Sequence, residues 1–418
     1  MWMQRLALSV IFILMTAGCA GRSYNPRPMA EVPFMDRAQT QSEDGVRVTV
    51  AVLSAEECKE VFGLDLYKRD IQPIWIEIEN KYETMLAFMP YGVDPAYFSP
   101  LEIPYMHRSG FSKSARNEMD QYFNAQQMEI WIAPRAVRSG FVFTNLDEGT
   151  KAFNVDVMGD DHRLRTFTFF VPVPGLPISH SEVDLESLYP KKKIAAFNEA
   201  GLRQALESLP CCTTNKEGTE QGEPINLVLI GKGYDVHGAL LRSGWKETAA
   251  LSEASATEKN MYSGSTRTYR YDPVSPLYVY GRYQDAALAK ARKMFPGQIQ
   301  LRAWLAPIRF KGQEVWICQI NRTVGVRRAS QGKKGTFKID PDLDEAREQL
   351  LQDLFFSQGL LKYGYVGGVG SATMLKPRKN LRGDPYFTDG YRMVVWLSGR
   401  AVSLEDVEFV EWALPPER

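Results

Sequence analysis

Seven short segments between residues 46 and 173 alternate apolar and polar side chains, with turn residues between them. In WIEIEN, for example, Trp75, Ile76 and Ile78 surround two glutamates. A period of two is typical of strands that bury one face, and seven such strands favour a β-sandwich of immunoglobulin type. The segments are VRVTVAVL, PIWIEIENK, MLAFMPYGV, EIWIAP, SGFVFTN, FNVDVMG and RTFTFFVPV. We therefore predict a sandwich domain over residues 45–177, with 99–127 as a helical insertion.

The second half of the chain has a different pattern. INLVLIGKGYDVHGALLRSGW, from residue 225, indicates a buried strand, a glycine turn and a short helix. Further strands are predicted at PLYVYGR, QIQLRAWLAPIRF, EVWICQINRTVGV and YRMVVWLS, and helices at DAALAKARKMF and over residues 342–363. These elements predict a mixed α/β domain over 225–418. Residues 178–224 are proline-bearing and polar around a helix near 193–209, which predicts a linker. The expected fold class is α+β with two domains.

The first residues of the chain predict where the protein lies in the cell. Arg5 precedes a short apolar stretch, which cannot span a bilayer of roughly 30 Å and is typical of a secretory signal. Small residues then lead to Cys19, a pattern that resembles a bacterial lipobox. The resemblance implies a lipoprotein signal over 1–18 and acylation, palmitate included, at Cys19. Ala20 stands where an inner-membrane retention signal has aspartate, so the expected location is the outer membrane, facing the periplasm. Residues 19–44 predict a flexible tether.

Charge and cysteine content exclude two classes of site. The chain has 50 basic and 50 acidic residues, so it lacks the electrostatic footprint of a nucleic-acid-binding protein. It has no CxxC pair and no spaced Cys/His set, so no zinc site and no cofactor is predicted. Cys58 and Cys318 lie in a helical and a strand-like segment and are expected to be buried. Cys211 and Cys212 are expected to be an exposed pair in the linker.

Five ordered motifs in the second half carry a family resemblance. They are PVSPLYVYGR (273–282), LRAWLAP (301–307), KIDPDLDEAR (338–347), YVGGVG (365–370) and GDPYFTDGYRMVV (383–395). From about 225 to 415 the chain resembles the C-terminal domain named after LssY, a protein linked to bacterial type I secretion. In relatives this domain often follows a membrane phosphatase. No PSGH-like turn occurs in this chain, so the resemblance does not imply phosphatase activity.

The acidic run in KIDPDLDEAR has two interpretations, a metal loop and a helix start. As a calcium loop of EF-hand type it fails, because counting from Asp340 the glycine position holds Glu345 and the last ligand position holds Leu351. As a helix start it has two possible caps. Asp340 could cap the helix with Pro341 at the first helical position, or Asp342 could cap it with Glu345 completing a capping box. We predict a helix cap and no metal site.

This stretch holds more acids than one cap needs, so a ligand pocket is a second interpretation of the same region. The candidate pocket residues are Asp340, Asp342, Asp344, Arg347, Asp384 and Asp389. Asp344 and Arg347 are spaced for an ion pair on one helix face. Arg302 and Arg322, on predicted strands, are candidate contacts for an anion. The competing interpretation is solvated strand edges and surface ion pairs.

The sequence contains no recognisable nucleophile elbow or dinucleotide fingerprint, so no catalytic residue is predicted. The expected function is that of a non-catalytic, lipid-anchored binding or accessory protein of the cell envelope. Its expected partner is an envelope protein or a membrane-associated ligand. The alternative is a metal-assisted hydrolase of phosphate-bearing or envelope substrates, which requires the acids above to share one concavity. A structural part of a secretion assembly is a third hypothesis, by analogy with the family name.

Overall fold

The computed structural model describes residues 21–147, 150–172, 188–247, 276–291, 298–327, 336–399 and 402–414. The predicted signal and Cys19 lie outside these ranges. The chain divides into two compact units, and the boundary passes through the paired strands Thr150–Met158 and Leu164–Pro172. Within the described ranges, none of the helices has the length and apolar character needed to cross a membrane.

The first unit is rich in antiparallel strands. Each of the seven predicted segments contains a strand, although the one in EIWIAP is only Trp131–Ile132. The main sheet has the order Gln39–Glu43, Val46–Val52, Ile71–Asn80 and Val137–Asn145, and Leu86–Met89 pairs with Trp131–Ile132. The helices of this unit are Ala55–Phe62, Pro90–Val93, Glu102–His107 and Lys113–Ala125. The last two lie within the predicted insertion at 99–127.

Aromatic side chains hold two of these helices against the main sheet. Phe141 and Phe143, on strand Val137–Asn145, contact Phe62 at ring-centroid distances of 5.0 and 5.4 Å. Phe123, from helix Lys113–Ala125, stacks on Phe62 at 5.1 Å. All four side chains are buried. Aromatic pairs of this geometry add to the stabilisation that burial provides, so this face of the sheet is covered by helices.

The flexible tether predicted over 19–44 is wrong for residues 24–43. Tyr24, Val32 and Phe34 are buried, and two short 3-10 helices, Met29–Glu31 and Pro33–Arg37, carry the chain between them. Strand Gln39–Glu43 then pairs antiparallel with Val46–Val52. The strand reads QTQSE, so it has no apolar alternation that could reveal it in the sequence, and its backbone hydrogen bonds place it.

The second unit contains a ten-stranded sheet, here called the central sheet. Its order is Lys246–Glu247, Ala286–Ala291, Gln298–Phe310, Gln313–Arg327, Leu227–Gly231, Arg392–Leu397, Leu360–Val366 and Glu408–Val410, with Thr336–Ile339 and Ala195–Phe197 paired beside it. A second, hairpin sheet has the order Gln221–Pro224, Cys212–Thr214, Tyr278–Val279 and Arg282–Tyr283. The helices are Glu199–Glu207, Gly233–Arg242 and Leu343–Phe356. Short elements complete the unit: 3-10 helices Lys191–Lys193 and Leu404–Asp406, and the paired strands Arg378–Lys379 and Pro385–Tyr386.

Each face of the central sheet has its own apolar core. On one face, Leu301 and Ile320 join Leu350 from helix Leu343–Phe356. On the other face, Trp304 and Ile317 join a separate cluster that includes side chains of helix Glu199–Glu207. Because successive residues of a strand point to opposite faces, odd and even positions of the two long strands belong to different cores.

Three predictions for this half need correction. The helix predicted at DAALAKARKMF is strand Ala286–Ala291 in its described part, since pairing with Gln298–Phe310 and Lys246–Glu247 overrides the helical propensity of its alanines. The helix predicted over 342–363 ends at Phe356, and Leu360–Val366 is a strand. The described part of the predicted linker, from residue 188, contributes strands and a helix to the domain. The predicted strands from Leu227 onward are confirmed.

Candidate functional site

A row of polar side chains interrupts one apolar face of the central sheet, the face that carries Trp304 and Ile317. Gln300 and Arg302 on strand Gln298–Phe310 lie directly opposite Asn321 and Gln319 on strand Gln313–Arg327. These four side chains share one face, and all are buried. Buried polar groups are costly unless they are hydrogen-bonded. Their partners therefore determine what this part of the sheet can do.

Glu223, from the hairpin strand Gln221–Pro224, is the centre of the network. Its Oε2 accepts hydrogen bonds from Gln319 Nε2 and Asn321 Nδ2, both at 2.6 Å. Its Oε1 accepts from Asn380 Nδ2 at 3.0 Å. Arg302 donates through Nη1 to Gln319 Oε1 at 2.6 Å and through Nη2 to Gln300 Oε1 at 3.3 Å. A cation and an anion are thus linked through a neutral amide.

This network fixes the orientation of each amide. An ionised carboxylate only accepts hydrogen bonds, so Asn321 and Gln319 must direct their NH2 groups at Glu223. Gln319 then presents its oxygen to Arg302, which only donates. Asn321 presents its oxygen away from Glu223, and that Oδ1 is buried without a hydrogen-bond partner among the residues that the structure describes. An unsatisfied buried acceptor is costly, so it marks a place where a further donor would be favourable.

These groups line a cavity of about 140 Å³. Its polar wall consists of Glu223, Gln300, Arg302, Asn321, Thr323, Asn380 and Arg382. Leu277, Ile339 and Leu381 supply apolar surface. An apolar cavity of about 150 Å³ accommodates benzene, so the volume here suits a ring or a chain of about six heavy atoms. We call this space the Arg302 cavity.

The electrostatics of the Arg302 cavity are set by burial and by two charged neighbours. The pKa of Arg302 is lowered to about 10, chiefly by burial; the charge of Glu223 raises it and the charge of Arg382 lowers it. Arg302 therefore remains protonated at neutral pH. Both guanidinium groups line the cavity, and an anion there could accept charge-assisted hydrogen bonds from them.

A second buried arginine holds the acidic run. Arg347, on helix Leu343–Phe356, donates to Asp389 through both terminal nitrogens, at 3.2 and 2.8 Å. It also lies 3.4 Å from Asp344 and donates to Glu348 at 3.0 and 2.8 Å. Its guanidinium carbon lies 5.3 Å from the ring centre of Tyr365. We call Arg347 and its three carboxylates the Arg347 cluster. The predicted Asp344–Arg347 pair is confirmed.

The carboxylates of the Arg347 cluster are also hydrogen-bonded to the chain around them. Asp344 accepts from Thr388 Oγ1 at 2.8 Å and from the backbone nitrogen of Asp389 at 2.7 Å. Burial raises the pKa of Asp344, and Arg347 partly offsets this effect. For Arg347, burial disfavours the charge, but its bond to Asp389 and the three carboxylates raise its pKa overall. These bonds fasten the helix to the loop of the GDPYFTDG motif.

The helix cap is the second role of the acidic run. Asp342 is the N-cap residue, and its Oδ1 accepts from the backbone nitrogen of Asp344 at 3.1 Å. Of the two predicted caps, the structure thus selects Asp342. Asp340 accepts from the backbone nitrogen of Asp342 at 3.1 Å. Glu345 instead faces Arg322, at 3.5 Å.

The contacts divide the predicted pocket residues into separate groups. Asp344 and Asp389 meet at Arg347, whereas Asp340 and Asp342 form the helix start. The backbone of Asp384 exchanges hydrogen bonds with Asn380 in both directions, 2.9 and 3.0 Å long. Within the described part of the chain, no group of three His, Cys, Asp or Glu side chains could hold a metal ion.

The two candidate anion contacts lie on opposite faces of the central sheet. Arg302 lines the cavity. Arg322 donates to Gln349 at 2.5 Å, on the face covered by helix Leu343–Phe356. The sequence did not predict four residues of the network, which are Glu223, Gln319, Asn321 and Asn380. QINRT and QIQLR did carry a signal, since polar residues recur there at every second position of otherwise apolar strands. Glu223 has no such signal, because its strand reads QGEP and shows no apolar alternation.

The cysteines differ partly from expectation. Cys58 and Cys318 are free and buried, as predicted. Cys211 and Cys212 are joined by a disulfide, and Cys212 is buried. Cys212 pairs with Pro224, the residue after Glu223. The expected exposed pair in a linker is therefore wrong, because this segment forms the hairpin that carries Glu223.

The motif that follows the Arg347 cluster positions a third buried arginine. Arg392 donates to the backbone oxygens of Leu206 and Pro210, both at 2.6 Å, and of Ile225 at 2.9 Å. Cations are favourable near the carbonyl groups that end a helix, so Arg392 fastens the end of helix Glu199–Glu207 to the sheet. Gly390, two residues earlier, has φ +91°, and a Cβ there would lie 2.7 Å from the backbone nitrogen of Ser371. Both the backbone conformation and the close contact therefore require glycine at this position.

Comparison with known proteins finds a family match for part of the chain, most of it in the second half. No curated protein matches the chain. A family model described as "LssY C-terminus" matches residues 203–391. The match begins at helix Glu199–Glu207, within the segment predicted as a linker, and covers every residue of the Arg302 cavity and of the Arg347 cluster. Residues 203–391 thus match the family whose resemblance the sequence motifs carry.

Proposed function

We propose that this chain is a lipid-anchored protein of the cell envelope that binds a small polar ligand in the Arg302 cavity without transforming it. One observation carries the proposal. The cavity combines a buried guanidinium with an acceptor, Asn321 Oδ1, that has no hydrogen-bond partner. Concave sites with a few fixed polar groups among apolar ones are the usual form of a small-molecule site.

The network around Glu223 supports binding because it is already organised. Three amides are held in one orientation by hydrogen bonds of 2.6 to 3.0 Å. A ligand therefore need not order these side chains on arrival, which lowers the entropic cost of association. The site would then recognise its ligand through fixed donors and acceptors.

The proposed location rests on the sequence alone. The signal over 1–18 and the acceptor Cys19 imply a protein anchored in the outer membrane and exposed to the periplasm. Acyl chains on one cysteine and its amine provide more than the two signals that stable anchoring requires. The immunoglobulin-like arrangement expected for the first unit remains part of this proposal. An envelope protein or a membrane-associated molecule could then be the natural source of the ligand.

The alternative, a metal-assisted hydrolase, has less support. It requires carboxylates free to bind a metal, but Asp344 and Asp389 are bonded to Arg347, and Asp342 caps a helix. A structural role in a secretion assembly rests only on the family name. We therefore retain ligand binding as the proposal.

The proposed binding function can be tested by melting the full chain with a library of small polar compounds. Binding to the folded state raises the melting temperature. We expect at least one compound to raise it for the wild type and not for Arg302→Met. Arg322→Met is the matched control, since it removes an arginine from the other face of the same sheet and should keep the response. If no compound acts, or if Arg302→Met responds like the wild type, the proposal fails.

The location has its own experiment. Cys19→Ala removes the acyl acceptor, so the protein should leave the membrane fraction, provided that the signal is still processed. Fractionation and labelling with a radioactive fatty acid would measure this. Retention of unlabelled Cys19→Ala protein in washed outer membranes would contradict the anchor, and a pull-down would then identify the partner that retains it.

A further inference from the structure

The charges and acceptors of the Arg302 cavity specify a class of ligand. We infer that the cavity binds a hydroxylated ring or chain that carries one anionic group, such as a sugar acid or a sugar phosphate. This inference rests on the proposed function and adds the chemistry of the ligand to it.

The anionic group follows from the positive side of the cavity. Arg302 is 4% exposed, and it is held in place by the oxygens of Gln319 and Gln300, which are neutral. Arg382 lines the same cavity. The negative charge of Glu223 is directed at Gln319, Asn321 and Asn380, whose NH2 groups it binds. A carboxylate or phosphate beside the two guanidinium groups would gain charge-assisted hydrogen bonds.

The hydroxyl group follows from Asn321. Its side chain is 2% exposed, its Nδ2 is bound to Glu223, and its Oδ1 has no hydrogen-bond partner. A simple carboxylate such as acetate offers only acceptors to this oxygen and leaves it unsatisfied. A hydroxyl hydrogen would satisfy it. A hydroxyl both donates and accepts. The amide oxygen of Gln300 is already bound to Arg302, so the NH2 group of Gln300 could donate to the same ligand.

The volume and the wall agree with a single ring. A space of about 140 Å³ accommodates a ring of about six heavy atoms, and the ring substituents and any further sugar unit would extend toward Arg382, which is exposed. The apolar surface from Leu277, Ile339 and Leu381 suits the C–H face of a sugar ring. The ligand could be a free sugar acid or the end of a longer glycan.

The inference can be tested by calorimetric titration of the full chain with four compounds. Glucuronate carries both a carboxylate and hydroxyls, and glucose 6-phosphate carries a phosphate and hydroxyls. Glucose lacks the anion, and cyclohexanecarboxylate lacks the hydroxyls. We expect glucuronate or glucose 6-phosphate to bind about tenfold or more tightly than glucose and cyclohexanecarboxylate. Which of the two anionic sugars binds distinguishes a carboxylate from a phosphate ligand.

Three variants connect binding to the residues. Arg302→Met should weaken binding of the anionic sugar about tenfold or more, and Arg322→Met should not change it. Asn321→Leu should bring the affinity for the anionic sugar down toward that for cyclohexanecarboxylate. If Asn321→Leu does not fold, the four compounds on the wild type still decide the question.

Three outcomes would overturn the inference. They are equal affinity for glucose, equal affinity for cyclohexanecarboxylate, and no binding of either anionic sugar. A compound of another class whose melting shift requires Arg302 would overturn the inference and leave the proposed function intact. Absence of any Arg302-dependent ligand would overturn both.

Discussion

Two buried arginines on opposite sides of the central sheet are satisfied in different ways. Arg347 is surrounded by three carboxylates and the ring of Tyr365. Arg302 donates to two amide oxygens and borders a cavity. The pKa shifts differ accordingly, raised for Arg347 and lowered to about 10 for Arg302.

This difference distinguishes the structural role of Arg347 from the binding role proposed for Arg302. A buried charge that carboxylates already neutralise has little to gain from a ligand, and its removal leaves other charges unpaired. The Arg302 guanidinium lines a cavity, so an anion that enters the cavity could reach it. The acidic run, although it is the more conspicuous feature of the sequence, thus serves stability, and the less conspicuous strand residues form the candidate site.

The largest effect is expected from Arg347→Met. This change leaves the buried carboxylates of Asp344 and Asp389 without their cation, so the free energy of unfolding should fall by about 3–5 kcal/mol. Urea unfolding followed by circular dichroism would measure it. Adding Asp344→Asn and Asp389→Asn should recover part of the loss.

Arg302→Met is the comparison for that experiment. It leaves neutral amides behind rather than unpaired carboxylates, so its loss of stability should be clearly smaller. Equal losses for Arg302→Met and Arg347→Met would remove the distinction between the two arginines.

The next largest effect is expected from Glu223→Gln. A glutamine would turn an NH2 group toward one of the three amide donors, so the charge-assisted bonds would weaken. We expect a loss of about 1.5–3 kcal/mol in the free energy of unfolding. Glu345→Gln is the matched control, because Glu345 is half exposed beside Arg322, and it should change stability by less than about 0.5 kcal/mol. If Glu223→Gln lowered the free energy of unfolding by as little as Glu345→Gln, Glu223 would not organise the cavity.

The sequence predicted the architecture of these regions better than their roles. The long strands Gln298–Phe310 and Gln313–Arg327 follow from their apolar alternation, and the Asp342 cap follows from local chemistry. The convergence of Asp389 on Arg347 could not be predicted, because the two residues are 42 positions apart in the chain. Likewise, Glu223 reaches Asn321 only because a hairpin with no apolar alternation folds over the sheet.

A third prediction concerns pH. The pKa of Asp344 is raised above its ordinary value of 3.8, chiefly by burial. A carboxyl whose pKa is higher in the folded state than in the unfolded state stabilises most below the unfolded pKa. That contribution is lost as the pH rises through the folded pKa.

The free energy of unfolding of the wild type, relative to Asp344→Asn, should therefore fall as the pH rises from below about 4 toward neutrality. Urea unfolding at a series of pH values would measure the difference. A difference that instead increases with pH would mean that the ion pair with Arg347 outweighs burial and that the pKa is lowered.

The smallest effect is expected at the helix cap, beside the Arg347 cluster. Asp342 accepts one backbone hydrogen bond, from Asp344 at 3.1 Å. Asn caps a helix about as well as Asp, so Asp342→Asn should leave the melting temperature nearly unchanged. Asp342→Ala removes the acceptor and should cost about 0.5–2 kcal/mol.

The same variants test the metal hypothesis for the acidic run. If Asp342 were a metal ligand, calcium or magnesium would raise the melting temperature of the wild type and Asp342→Asn would abolish the rise. Melting the wild type and both variants with added metal and with a chelator distinguishes the two roles. We expect the three proteins to respond to metal alike, because a cap binds a backbone N–H whether or not its side chain is charged. A metal-dependent shift in the wild type alone would return the acidic run to the candidate sites and bring the hydrolase hypothesis forward.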